Sequence, residues 1–265
     1  MSDIAGDFTN DMSPSTDLRE HREFASEIKF VVPRPLADQI RDWTRARLSP
    51  DPNGAGNLSD VYRITSLYFD TAQFEVYHRK GSFGRSKYRI RRYGSSEVAF
   101  LERKLKTHGL VSKRRTIVRV DELERVSGPA AERSWAGCWY HRRLLARQLR
   151  AVCQISYERT ARVSMTRCGP IRLTLDNAIC ARPVSGIAFT AAGDGALLLE
   201  HEVIVELKFR LEMPALFKQL VEEFGLNPKP ISKYRMAAAA LGLVAEQNAN
   251  PTVTPDGEAS LCLIS

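Results

Sequence analysis

Apolar and polar residues alternate along several stretches of this chain, the period-two pattern of strands with one face buried. Lys87-Tyr88-Arg89-Ile90-Arg91 sets three cations on one side, and residues 100–106 set Glu102, Lys104 and Lys106 on one side. In residues 202–209, Glu202, Glu206 and Lys208 oppose Val203, Val205, Leu207 and Phe209. The pattern predicts strands at 26–32, 61–70, 86–93, 98–107, 113–120, 151–163, 171–177 and 198–210. Gly94-Ser95-Ser96 and His108-Gly109 read as turns, which makes 86–120 a meander of antiparallel hairpins. Near-helical spacing appears in Leu36, Ile40, Trp43 and Leu48, and residues 121–150 read as helical from Trp135, Trp139, Leu144, Leu145 and Leu149. A further amphipathic helix opens at Pro214 and ends at Gly225, and a last one spans 232–243. Residues 50–57 read as a loop and 71–77 as a turn or short helix. The polar ends, 1–21 and 245–265, are expected to be disordered tails around one domain, 22–244.

Composition changes the picture through charge. The 265 residues carry a net charge of +8 and a pI near 9.4, which suits an anionic partner. Between Arg79 and Arg119 stand fourteen Lys and Arg residues against Glu97 and Glu102 alone. Such a cluster repels itself unless it is solvated or matched by a bound anion. Five scattered cysteines (Cys138, Cys153, Cys168, Cys180, Cys262) show no metal spacing and read as reduced thiols, so a soluble, cytoplasmic protein is expected. Cys262-Leu263-Ile264-Ser265 matches a prenylation box with no polybasic stretch beside it, a weak signal.

Alternating charge on one strand usually means a solvated face with cross-strand ion pairs. Three distant segments with the same cationic bias also fit another arrangement, a closed barrel whose interior holds a phosphate chain. Like charges filling that interior would otherwise cost several kcal/mol per unpaired ion. Carboxylates in such a place need their own purpose, and a divalent cation held by Glu206, with Glu202 as a second ligand, would supply it. Arg159, Arg172 with Asp176, and Ser232-Lys233 at a helix start are further candidates, each also readable as a rim residue or an ordinary N-cap. The histidines have no ligand spacing, and no nucleophilic triad or Gly-rich phosphate loop is present. Few aromatics interleave the basic strands, so nucleic acid is not the expected partner.

Glu27-Ile28-Lys29-Phe30, Tyr68-Phe69-Asp70-Thr71, Tyr88-Arg89-Ile90-Arg91-Arg92-Tyr93-Gly94, Leu101-Glu102-Arg103-Lys104, Val205-Glu206-Leu207-Lys208-Phe209 and Ser232-Lys233-Tyr234-Arg235 occur in that order. Together they resemble the VTC domain, the polyphosphate polymerase branch of the triphosphate tunnel metalloenzymes, over roughly residues 22–243. The resemblance implies an α+β fold, an antiparallel eight-stranded closed β tunnel with flanking helices. It implies transfer of the γ-phosphate of ATP onto inorganic polyphosphate, with Mn²⁺ or Mg²⁺ on Glu206. Carried over, Arg89, Arg91, Lys104, Arg159, Arg172 and Lys208 would act at the phosphates, with Lys29, Ser232 and Lys233 binding substrate. Hydrolytic relatives carry an ExExK motif on the first strand, and here its outer position is Ala25. That departure argues against a simple triphosphatase, which stays the alternative beside a non-catalytic binder of triphosphate or polyphosphate. Eukaryotic polymerases of the family export product through membrane segments, so export here would need a separate membrane partner.

Overall fold

A computed structural model of the protein describes residues 17–19, 26–52, 60–107, 110–191, 195–210 and 212–244. Eleven strands are present among them: β1 (Asp17–Arg19), β2 (Ser26–Pro33), β3 (Ser49–Pro50), β4 (Val61–Asp70), β5 (Ser86–Tyr93), β6 (Val98–Thr107), β7 (Leu110–Arg119), β8 (Arg150–Thr166), β9 (Gly169–Pro183), β10 (Ala196–Leu198) and β11 (Glu202–Phe209). The helices are α1 (Arg34–Arg45), α2 (Glu75–His78), α3 (Cys138–Ala146), α4 (Ala215–Glu223) and α5 (Lys233–Ala240). Eight long antiparallel strands run side by side in the order β7-β6-β5-β4-β8-β9-β11-β2, with β1, β3 and β10 as short additions. Side chains from all eight line one cavity, so the sheet curls into a tunnel. Backbone hydrogen bonds do not close it, since β2 and β7 do not pair. Closure comes instead from side chains, with Lys104 of β6 reaching Glu27 of β2 at 2.9 Å.

Strand alternation explains why the tunnel is polar within and the cores lie outside it. Phe30, Val205, Leu207 and Leu173 point outward, where α1 and α4 cover them with Ile40, Trp43, Phe217 and Leu220. Ile64, Tyr88, Ile90 and Leu101 point outward on the other side and meet Tyr140 and Leu144 of α3 and Ala237 and Ala238 of α5. Each such side chain contributes roughly 1.5–3 kcal/mol by leaving water. The loop around Pro228 and Pro230 covers the free edge of β2, Lys229 donating its N–H to the Lys29 carbonyl at 2.7 Å.

Two expectations need correction. Residues 121–150 are not one helix: Val120–Ser127 is a 3₁₀ segment, Gly128 and Pro129 interrupt the chain, and α3 starts only at Cys138. Asp17–Arg19, inside the expected N-terminal tail, pairs with β7. The rest of that tail, Ala25, the greater part of the 50–57 loop, the His108-Gly109 turn and the tail 245–265 lie outside the described residues. No helix among the described residues is long and apolar enough to cross a membrane.

Candidate active site

Register brings the charged side chains together. In β11–β2, Glu206 stands opposite Lys29 and Lys208 opposite Glu27; in β8–β9, Arg159 stands opposite Asp176. In β5–β6, Arg89 faces Glu102. A bulge between Ser156 and Glu158 of β8 falls at Tyr157, whose ring enters the same space. The result is a cavity of about 640 Å³ lined by eleven Lys or Arg residues against Glu27, Glu102 and Glu206.

Its walls contain three carboxylate-centred clusters. Asp176, fully buried, takes both Arg159 donors at 2.6 and 2.7 Å and the Lys233 ammonium at 2.6 Å. Burial alone would raise the Asp176 pKa, but Arg159 and Lys233 hold it at about 2. Glu102 accepts from Arg89 at 2.6 Å and lies 3.0 Å from Arg115 and 3.4 Å from Lys113; Arg89, then Arg91, Lys113 and Arg115, outweigh its burial to keep it well below the carboxylate range. The third cluster is a lattice. Lys29 bridges Glu27 (2.9 Å) and Glu206 (3.4 Å), Lys208 lies 2.8 Å from Glu206, and Lys104 holds Glu27. Burial and the neighbouring Glu206 push the Glu27 pKa up, yet Lys208, Lys29 and Lys104 bring it to about 2.

Arg91 is different. It is 6% exposed, and its hydrogen bonds go to hydroxyls: Ser66 at 3.2 Å and Tyr157 at 3.2 Å. Glu102 acts on it through charge, but its hydrogen bonds end on hydroxyls, so a costly buried guanidinium keeps donors for an anion. Tyr68 and Tyr93 carry their hydroxyls into the same region, accepting from Arg89 at 3.5 Å and Arg115 at 2.9 Å. Arg172, farther along the tunnel, is tied to Asp51 at 2.5 Å and Tyr62 at 2.8 Å.

The start of α5 forms part of the lining. Ser232 occupies the N-cap position but makes no capping bond; its hydroxyl accepts from Lys87 at 3.2 Å. Asp70, fully buried, fixes this helix in place. It accepts the N–H groups of Thr71 (2.7 Å), Val76 (2.9 Å) and Tyr77 (2.9 Å), together with the hydroxyl of Tyr234. Tyr234 also stacks on Tyr68 with ring centroids 5.6 Å apart, which sets Ser232 and Lys233 over the cavity.

Lys29, Arg89, Arg91, Lys104, Arg159, Arg172, Glu206, Lys208, Ser232 and Lys233, all singled out from sequence, line this one space. Glu202 does not. It opens β11 opposite Pro33, about 13 Å along the strand from Glu206, and takes no part in the cavity. Its place beside Glu206 is taken by Glu27, on the neighbouring strand. Among the described residues no group of three or more His, Cys, Asp or Glu side chains is placed to hold a metal ion by itself. Two ionised glutamates still fit a hard divalent cation that completes its shell with phosphate oxygens and water. Sequence reasoning also passed over Glu102 as an anchor for Arg89, Asp70 as the anchor of α5, and Lys87, Lys113 and Arg115 as lining cations. Their alternate positions on β5, β6 and β7 were the available signal.

No protein of curated function matches the chain. Among solved structures, a Bacillus halodurans protein named as a proposed adenylate cyclase is 15% identical, with a TM-score of 0.50, covering 79% of this chain and 95% of that one. A Hippeastrum protein, named as a proposed adenylyl cyclase with a dominant triphosphatase activity, is 16% identical with a TM-score of 0.45, covering 81% and 95%. The first likeness shows the fold. The VTC domain matches residues 24–242, the whole tunnel from β2 to the end of α5, and the chain belongs to that family.

Proposed function

We propose that the protein is a polyphosphate polymerase that moves the γ-phosphoryl group of ATP onto a growing inorganic polyphosphate. The observation that carries this reading is the buried Arg91, whose hydrogen bonds end on hydroxyls, in a tunnel with eleven lining cations. In the transfer the bond between the bridging oxygen and the γ-phosphorus breaks, and ADP leaves with that oxygen. A terminal oxygen of the acceptor chain bonds the same phosphorus, so no protein nucleophile is needed. Arg91, Arg89 and Arg159 orient the phosphates and balance the charge spread over the transferring oxygens. Lys29, Lys104, Lys208 and Lys233 bind the flanking phosphates, and the tunnel holds donor and acceptor in line. Glu206 with Glu27 would hold Mn²⁺ or Mg²⁺, which supplies neutralisation of phosphate charge when bound. The reading sets the activity in the cytoplasm, where ATP is available, with a membrane partner as the route for any export.

A second reading, a metal-dependent triphosphatase, is favoured by one observation: Glu27 and Glu206 stand side by side on Lys29, a carboxylate pair of the kind that orients an attacking water. One experiment separates the readings. Purified protein is incubated with ATP and Mn²⁺, and the products are run on a gel stained for polyphosphate. Long polymer with ADP supports the polymerase. Free phosphate without polymer supports the hydrolase, and tight triphosphate binding without turnover leaves a binder.

A further inference from the structure

Beside the tunnel lies a second, open basin of about 820 Å³, walled by α2, the start of α5 and the 228–231 loop. It shares Glu27, Lys29, Lys87 and Ser232 with the tunnel, so the two spaces are continuous. Arg79, Lys87, Lys229 and Arg235 line it, and among the described residues none of the four has a carboxylate partner. Arg79, Lys229 and Arg235 are exposed, and none of the three faces into the tunnel itself.

We infer that this basin is a chain-binding subsite, holding the stretch of polyphosphate that extends beyond the tunnel. The inference rests on the reading of the tunnel as a polyphosphate site and adds where the chain is held once it leaves the tunnel. Charge argues for a chain here. Glu27, the one carboxylate of the lining, is already held by Lys29 and Lys104, so the basin is cationic with nothing to balance it. A polyphosphate leaving the tunnel past Lys87 and Ser232 meets the other cations with its repeating charges. A nucleoside in the same place needs an aromatic face to stack on. Tyr77, the aromatic ring of the lining, has one face covered by the Arg235 guanidinium at 5.2 Å and packs at right angles to His78. The walls are also held in advance: Asp70 ties α2 to α5 through Tyr77 N–H and Tyr234, and Lys229 is tied to β2. A preset cationic surface binds an extended anion with little ordering cost.

The test compares the full chain with the combined variant Arg79→Gln, Lys229→Gln, Arg235→Gln, titrating tripolyphosphate, ATP and a long-chain polyphosphate by calorimetry. Expected is an affinity for the long chain about tenfold weaker, equivalent to ~1.4 kcal/mol shared over three exposed contacts, with tripolyphosphate affinity unchanged. If all three ligands bind the variant as they bind the native chain, the subsite does not exist. If ATP alone weakens, the basin holds the nucleoside and the inference falls. If the native chain binds none of the three, the reading of the tunnel itself is wrong, an outcome distinct from either.

Discussion

Arg91 and Arg159 are both buried guanidiniums in one tunnel, 6% and 7% exposed, and removing each should have opposite consequences. Arg159 is bidentate with Asp176 at 2.6 and 2.7 Å. Truncation to Met strands a fully buried carboxylate that retains only Lys233, and breaking a buried pair costs about 3–5 kcal/mol. At roughly 2–4 °C per kcal/mol for a domain of this size, Arg159→Met should lower Tm by about 6–20 °C. Arg91 donates to the hydroxyls of Ser66 and Tyr157, and Glu102 keeps Arg89, Lys113 and Arg115 without it, so replacing it by an apolar chain of similar volume is neutral or stabilising. Arg91→Met should therefore leave Tm unchanged or raise it. Its binding of tripolyphosphate should fall by ~100-fold, since two charge-assisted bonds of about 1.5 kcal/mol each are lost. Thermal unfolding followed by calorimetric titration of each variant measures both. A drop in Tm for Arg91→Met equal to that for Arg159→Met would show that the Arg91 charge serves the fold, and the argument for an anion site would go with it.

Glu206→Gln should abolish metal-dependent turnover and weaken Mn²⁺ binding by more than the ~10–100-fold that loss of an outer-shell partner costs, read by electron paramagnetic resonance titration. Lys87 lies beside Lys29, Lys104 and Arg89; burial first, then these cations, bring its pKa down to about 8. A bound polyanion restores the proton, so binding takes up protons and tripolyphosphate affinity should fall as pH rises from ~7 to ~9.5, a dependence that Lys87→Ala flattens. Tyr234→Phe keeps the ring stacked on Tyr68 but removes the hydroxyl held by Asp70, leaving a buried acceptor short of a donor at about 1–3 kcal/mol. If its effect on phosphate binding runs through α5, a double-mutant cycle with Lys233→Ala will be strongly non-additive, whereas additive losses would reduce Tyr234 to a packing role.

Alternation made most of this tunnel legible. Tyr88-Arg89-Ile90-Arg91 and Val205-Glu206-Leu207-Lys208 each divide into an outward apolar face and an inward charged one, and the strands form where that division predicts. Which cation is paired is a different kind of information. Arg159 meets Asp176 only through the register of a hairpin whose strands run to Thr166 and begin again at Gly169, longer than their apolar runs. Arg172 meets Asp51 from a loop that has no periodic signal at all. Glu202 and Glu206 share a strand face and so look like one site, but a strand separates i and i+4 by about 13 Å. Proximity in a sheet runs across strands, which is why Glu27 is the neighbour. The misread helix over 121–150 has a local cause: Gly128-Pro129 breaks it, and the apolar set from Trp135 to Leu149 lies beyond that break and straddles a second helix start at Gly137.

The pairings also say why carboxylates belong in a phosphate tunnel. With no anion bound, Glu27 and Glu206 neutralise Lys29, Lys104 and Lys208, so the fold does not carry their repulsion unmatched. Those same ammonium groups occupy the oxygens that a divalent cation would need. A phosphate entering the tunnel offers Lys29 and Lys208 new partners and thereby frees both glutamates. Each ligand thus removes an obstacle to the other, and the coupling must be reciprocal: phosphate tightens metal binding by the factor by which metal tightens phosphate binding. Arg91 stands outside this exchange, with no ion pair to break among the described residues. With Lys87 it is a cation to which an incoming phosphate can bind first, and the lattice of lysines and glutamates opens after it.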